Sequence, residues 1–349
     1  MLTRADLNAL PEYIPGRTVP GAIKLASNEV PYGLLPGVAE AITEAAALSH
    51  RYPDMGAVTL REALAGRLGV TVDRIATGCG SVALAEHLTA ATCHDGDEII
   101  FSWRSFEAYP IIAAAAAATA VRVPNTADHG HDLPAMAAAV TDRTRLVFVC
   151  NPNNPTGTSL TTRALTAFLD AVPPHVLVVL DEAYREFVTD PDVPDGLDTF
   201  GDRPNVVVLR TMSKAWGLAG LRVGYLVGQP EVAAAVRKVI TPFSTSAVAQ
   251  AAAVAALKAD TEMRRRADLV VSERDRVQTA LRAWLPDIPP TQANFVWLPL
   301  RDRAAAFAGA CEQAGIIVRP FAGDGVRVTI GTPEENDAFL TAAEKYLTA

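Results

Sequence analysis

The sequence predicts an α/β protein: a large domain with a mostly parallel sheet covered by helices, followed by a smaller α/β domain. Three observations carry that expectation. From about residue 75 to 240, short β-branched runs alternate with longer helical patterns, the order expected of parallel strands joined by crossover helices. Asn154, Asp181 and Lys214 follow three of these runs, and ligands of open parallel sheets gather at such carboxyl ends. After Phe243 the pattern changes to a long charged helical region and a proline cluster.

In order, the strand candidates of the large domain are Glu98–Phe101, Ala120–Val123, Leu146–Val149, Val176–Leu180, Val206–Leu209 and Val223–Val227. Each is a short β-branched or aliphatic run bounded by turn residues. Helical patterns lie between them at Val82–Cys93, Glu107–Ala118 and Thr162–Ala171. Downstream, a charged helix over Thr261–Trp284 leads through Pro286, Pro289 and Pro290 into a strand at Asn294–Leu300. A helix at Asp302–Ala314, strands at Ile316–Phe321 and Val326–Ile330, and a final helix at Glu334–Tyr346 complete the chain. Thr332-Pro333-Glu334-Glu335 supplies the last helix with a start signal. The Pro- and Gly-rich segment Pro11–Val30 reads as an arm rather than an independent unit. The expected divisions are residues 1–30 (arm and part of the small domain), 31–243 (large domain) and 244–349 (small domain).

Bulk properties narrow the function. At 349 residues, half apolar and 20% charged, the chain is globular rather than disordered. A net charge of −8 argues against nucleic acid as the main partner. No uninterrupted apolar stretch reaches membrane-spanning length; Ala113–Ala118 is only a short alanine run. Met1–Pro11 contains an acid, Asp6, and lacks the order of a signal peptide. Cys79, Cys93, Cys150 and Cys311 are scattered without a CxxC, which fits reduced thiols in the cytoplasm and argues against a zinc site. His129-Gly130-His131-Asp132 reads as a solvated turn, not a metal site.

The chemistry is concentrated in Thr211-Met212-Ser213-Lys214-Ala215-Trp216-Gly217-Leu218-Ala219-Gly220-Leu221-Arg222. A lysine flanked by hydroxyls, with glycines behind it and an arginine further on, suits a covalently held, phosphate-bearing aldehyde. The amine condenses with the carbonyl, the hydroxyls and guanidinium hold the phosphate, and the glycines allow close backbone approach. Upstream, Asp181-Glu182-Ala183-Tyr184 closes one apolar run, and Asn151-Pro152-Asn153-Asn154-Pro155-Thr156-Gly157 closes another. Gly78-Cys79-Gly80-Ser81-Val82 precedes a helical pattern, where backbone N–H groups of Gly80, Ser81 and Val82 can receive an anion.

Together these motifs resemble the pyridoxal-phosphate (PLP) aminotransferases of fold type I, class II, and within them the histidinol-phosphate and aromatic aminotransferase group. The resemblance covers essentially the whole chain from Tyr13 to the final helix. It implies PLP as cofactor, with Lys214 as the lysine that holds it and later moves the substrate proton. Asp181 is implied to face the pyridine nitrogen, and Tyr184 and Asn154 to hydrogen-bond the ring hydroxylate. Thr211, Ser213 and Arg222 complete the phosphate site, and Phe106 stacks on the ring. Tyr52, in Arg51-Tyr52-Pro53-Asp54, matches a tyrosine that reaches the cofactor phosphate of a neighbouring subunit, which implies a homodimer with shared active sites. Arg327 matches the arginine that grips the substrate α-carboxylate; Arg319, Asn28 and Tyr13 are carried over as further substrate contacts. The arm is implied to pack with the small domain and near the site. The sequence departs from the common Gly-Asn-Gly-Ser-Asp-Glu pattern, with Cys79 in place of the asparagine and Val82-Ala83 in place of the acids.

Ser81-Val82-Ala83-Leu84 and Trp103-Arg104-Ser105-Phe106-Glu107-Ala108-Tyr109 are similar to the actinobacterial aromatic (phenylalanine) branch. The expected activity is therefore aromatic-amino-acid transamination with 2-oxoglutarate. Histidinol-phosphate transamination is the alternative within the fold, and a PLP-dependent decarboxylase is a weaker one. A PLP-binding transcription regulator would need a basic DNA-binding domain ahead of Asn28, for which the N-terminus is too short.

Overall fold

The computed structural model describes Arg4, Leu10 and residues 14–348. The short strand β1 (Ile23–Lys24) is followed by helices α1 (Val38–Ala46) and α2 (Val58–Leu68). Seven strands then build one sheet: β2 (Ile75–Gly78), β3 (Glu98–Trp103), β4 (Thr119–Pro124), β5 (Thr144–Cys150), β6 (Leu177–Asp181), β7 (Val206–Thr211) and β8 (Gly224–Val227). Their order is β2-β8-β7-β6-β5-β3-β4. β8 runs antiparallel to both β2 and β7, and the remaining pairings are parallel. The connecting helices are α3 (Gly80–Thr92), α4 (Ala108–Ala115), α5 (Leu133–Ala138), α6 (Thr162–Ala171) and α7 (Gly196–Phe200), with α8 (Pro230–Val239) after the last strand.

Alternation along the central strands sorts side chains into two cores. Ile99, Leu146, Phe148, Val179, Val207 and Leu209 point to one face, under α3, α4 and α8. Ile100, Val147, Val149, Val178, Val206 and Val208 point to the other. A sheet buried on both faces needs such near-continuous apolar strands, and that is why these runs were visible in the sequence.

Beyond the sheet come α9 (Ala247–Lys258), which packs on α1 and α2, and the long α10 (Asp260–Arg282). Strand β9 (Phe295–Leu298), helix α11 (Ala304–Gln313), strands β10 (Ile316–Ile317), β11 (Arg319–Phe321) and β12 (Gly325–Thr329), and helix α12 (Pro333–Leu347) follow. β11, β12 and β9 form an antiparallel three-stranded sheet, while β10 pairs in parallel with β1. The N-terminal arm is thus tied by strand pairing to the C-terminal part of the chain. Thr332 and Glu335 form a reciprocal capping box at the start of α12.

The structure corrects several boundaries. The run Ile316–Phe321 is two strands, because the chain turns at Val318 from pairing with β1 to pairing with β12. The helix expected over Glu107–Ala118 stops at Ala115, and Ala117 adopts a left-handed φ of 58° before β4. His129–Asp132 is not simply a solvated turn: His131 is buried, its Nε2 lies 2.8 Å from the Cys150 carbonyl, and burial pushes its pKa down to about 4. The arginine triplet Arg264–Arg266 is answered within its own helix by Asp260 and Glu262 at 2.7–2.8 Å. Among the described residues, no helix is long and apolar enough to cross a membrane.

One buried ionic cluster locks the loop after β6 against the sheet. Arg210 on β7 donates through Nε and Nη2 to Glu182 Oε2 at 3.0 and 2.7 Å, and through Nη2 to Asp195 Oδ1 at 2.7 Å. Gly196 N donates to the other Glu182 oxygen at 2.7 Å. Removing one partner leaves a carboxylate buried without its counter-charge, which costs about 3–5 kcal/mol. Arg210→Leu should lower unfolding free energy by about that amount in urea titration; a loss below about 1 kcal/mol would contradict a structural role for the cluster.

Candidate functional site

The carboxyl ends of β5, β6 and β7, the start of α3, the N-terminal arm and the three-stranded sheet enclose a cavity of about 420 Å³. Asp181 is the last residue of β6 and is buried. Its Oδ2 accepts the Tyr109 hydroxyl at 2.7 Å, whereas its Oδ1 is buried with no hydrogen-bond partner. Burial pushes its carboxyl up to about 6; donation from Tyr109 and the Ala183 N–H, and the nearby Lys214 charge, pull the other way.

Lys214 lies just beyond β7, and its Nζ donates to the Ser27 carbonyl of the arm at 3.1 Å. Burial lowers its pKa to about 7, helped by the positive charges of Arg327 and Arg222 and opposed by Glu29 and Asp181. An amine held there is substantially neutral near pH 7, and hence nucleophilic toward a carbonyl and able to carry a proton.

At the base of the cavity, α3 begins at Gly80 (φ 84°), and Cys79 contributes no side-chain cap. A Cβ on Gly80 would collide with the Arg222 guanidinium, and one on Gly224 would collide with the backbone of Gly80 and Ser81. These two glycines let β8 and Arg222 approach the helix start, where unsatisfied N–H groups favour an anion. Arg222 donates to Ser213 Oγ at 3.1 Å, and Thr211 Oγ1 to Ser213 Oγ at 3.0 Å. Two hydroxyls, a guanidinium and a helix N-terminus therefore converge, a donor set suited to a phosphate.

On the opposite wall, Asn28 holds a left-handed backbone (φ 58°), a conformation asparagine tolerates better than most residues. Its Nδ2 donates to the Tyr184 hydroxyl at 2.9 Å, and its N–H to Thr329 Oγ1 at 2.9 Å. Burial pushes the Tyr184 phenol up, so it stays protonated at neutral pH. Arg327 on β12 donates to Asn154 Oδ1 at 2.5 Å and to the Ala26 carbonyl at 2.7 Å. Arg319, opposite Arg327 in the strand register, donates to Glu107 Oε2 at 2.8 Å. Phe106 lines the cavity and meets Tyr109 edge-on, with ring centroids 5.5 Å apart.

Most residues singled out in the sequence thus surround one cavity, Val82 and Ser81 included. Tyr52 does not: it is 81% exposed and stacks on Phe243 at 4.5 Å, away from this chain's own cavity lining. Tyr13 lies outside the described residues. Sequence reasoning missed Tyr109 and Glu107 as side chains serving this site. Both lie in the noted Trp103–Tyr109 segment, but their partners Asp181 and Arg319 are 72 and 212 residues away. No local spacing could reveal those pairs.

The chain matches the family described as aminotransferase class I and II over residues 20–342. It is 60% identical to the aromatic amino acid aminotransferase of Rhodococcus jostii (strain RHA1), over 98% of this chain and 95% of that protein. It is 56% identical to the aromatic amino acid aminotransferase of Thermobifida fusca (strain YX), over 98% of this chain and 96% of that protein. Among solved structures it is similar to the histidinol-phosphate aminotransferase of Sinorhizobium meliloti in complex with pyridoxal-5'-phosphate. That likeness has a TM-score of 0.84 at 29% identity, over 94% of this chain and 91% of the other. With a family match across most of its length and full-length relatives at this identity, the chain belongs to the class I and II aminotransferases.

Proposed function

We propose that this aminotransferase moves the amino group of an aromatic amino acid, phenylalanine or tyrosine, to 2-oxoglutarate, or in reverse from glutamate, with PLP in the cavity described above. The observation that carries this reading is the pairing of a half-buried, near-neutral Lys214 amine with a buried carboxylate, Asp181, whose Oδ1 has no partner. Such an oxygen suits a protonated ring nitrogen, and the Gly80/Gly224 cradle with Thr211, Ser213 and Arg222 suits the phosphate, so the residues fit the cofactor. The full-length relatives named for aromatic amino acids support the substrate class.

PLP, when bound, supplies an aldehyde that takes up the amino group and a ring that withdraws electrons from the substrate α-carbon. The chain's own groups divide the remaining work. Lys214 holds the cofactor until substrate arrives, and its freed amine then carries the proton on and off the α-carbon. Asp181 holds a proton at the ring nitrogen, with Tyr109 keeping the carboxylate oriented. Tyr184, kept protonated by burial, donates toward the ring hydroxyl together with the Asn154 amide. Arg327 grips the α-carboxylate through a planar fork, Asn28 braces Tyr184, and Phe106 borders the ring of cofactor or substrate.

We further propose that the working unit is a homodimer in the cytoplasm. Tyr52 is exposed and stacks on exposed Phe243, and exposed Leu48, Met55 and Val58 are close to it in sequence, apolar surface that a second copy would cover. In that arrangement Tyr52 completes the phosphate site of the partner. The four free thiols accord with a reducing compartment.

Two experiments check these readings. With saturating PLP and 2-oxoglutarate, kcat/KM should be higher for phenylalanine or tyrosine than for histidinol phosphate, and Arg327→Leu should impair both kinds of donor. A preference of about tenfold or more for histidinol phosphate would overturn the aromatic assignment. Mixing inactive Tyr52→Ala and Lys214→Ala subunits in equal amounts should restore about a quarter of the sites, those in which intact Lys214 meets an intact partner tyrosine. No recovery despite proven subunit exchange would contradict the shared site.

A further inference from the structure

Arg319 and Arg327 are direct partners across β11 and β12, so both leave the same face of the three-stranded sheet. Their guanidiniums lie over the same Phe321 ring, 5.4 and 5.7 Å from its centroid. Taken alone, two arginines so placed would suit a dianion. Arg319, however, is only 12% exposed and is engaged at 2.8 Å by the Glu107 carboxylate, itself 30% exposed and lining the cavity. Glu107 sits at the N-terminus of α4, where a negative charge is favoured. Its segment is braced a second time by Arg104, which pairs with Asp324 in the β11–β12 turn at 2.6 Å. The Glu107 charge is therefore held in place.

We infer that Glu107 is a specificity-determining residue, a charge filter that reserves the anion pocket for a monoanionic carboxylate and disfavours a dianionic phosphate ester. The inference rests on the proposed reading of the cavity as the amino-donor site. An α-carboxylate carries one negative charge; a phosphate monoester carries about 1.5 to 2 at pH 7. Glu107 cancels the charge of Arg319, engages its Nη2 and repels the extra charge of the ester. The filter thus separates amino acids from amino donors that carry a phosphate ester where the carboxylate belongs, although both present a planar ring.

The test compares wild type, Glu107→Gln and Glu107→Asp as holoenzymes. In the Gln variant the ratio of kcat/KM for histidinol phosphate to that for phenylalanine should rise about tenfold or more, carried mainly by KM, because one repelling charge a few ångströms from the ester is removed. The Asp variant, which keeps the charge, should stay closer to wild type. Calorimetric titration with two non-reacting probes, inorganic phosphate and 3-phenylpropionate, gives a readout free of turnover. Phosphate should gain about tenfold in affinity relative to 3-phenylpropionate in the Gln variant. An unchanged ratio, or equal losses for both donors and both probes, would reduce Glu107 to a brace for its loop and overturn the filter. If the wild type turns over neither donor, the aminotransfer reading fails, while the two probe affinities still judge the filter. A wild type that prefers histidinol phosphate by about tenfold would overturn both.

Discussion

Asp181 is a buried carboxylate at the end of β6, where solvation is poor. Burial alone would neutralise such a group, and its pKa does rise to about 6. The Tyr109 hydroxyl, donating to Oδ2, and the Ala183 N–H keep that shift from growing larger, while Oδ1 is buried without a hydrogen-bond partner. An unsatisfied buried acceptor costs stability unless something completes it. In the proposed reading the protonated cofactor nitrogen is that partner.

The same logic shapes Lys214. Desolvation and the like charges of Arg327 and Arg222 outweigh Glu29 and Asp181, and its amine donates to one backbone carbonyl, so it sits near neutrality. Both groups are held by neighbours from distant parts of the chain. The arm supplies Ser27 and Asn28, α4 supplies Tyr109, and the three-stranded sheet supplies Arg327. The parallel sheet brings the strand ends together, and the pairing of β1 with β10 brings the arm and the C-terminal strands to the same place. In the proposed anion pocket Arg319 and Glu107 neutralise one another beside Arg327.

Much of the fold was legible because strands buried on both faces must be apolar and β-branched. Val176–Leu180 and Val206–Leu209 were visible for that reason and appear as β6 and β7 within a residue or two. The strand Ile75–Gly78 was not noticed, since Ile-Ala-Thr-Gly carries little β signal and gains its place only by pairing with β8. The alanine-rich α9 likewise packs through small side chains against α1 and α2, without a strong apolar stripe. In the site, Lys214, Asp181 and Arg222 stood out because their motifs are local. Tyr109 is core, 1% exposed, yet its hydroxyl donates to Asp181, a pairing that no local pattern could show. Tyr52 is absent from its own chain's cavity lining, and local sequence carries no signal of which side chains a fold brings beside it.

In the proposed reading Asp181 keeps a proton on the cofactor's ring nitrogen. Nitrogen-15 NMR of holoenzyme loaded with PLP labelled at that nitrogen reads the proton directly. The wild type should show a protonated nitrogen at pH 7 and above, and Asp181→Asn, with cofactor still bound, should show an unprotonated one. A nitrogen unprotonated in the wild type, or equally protonated in both, would contradict the account.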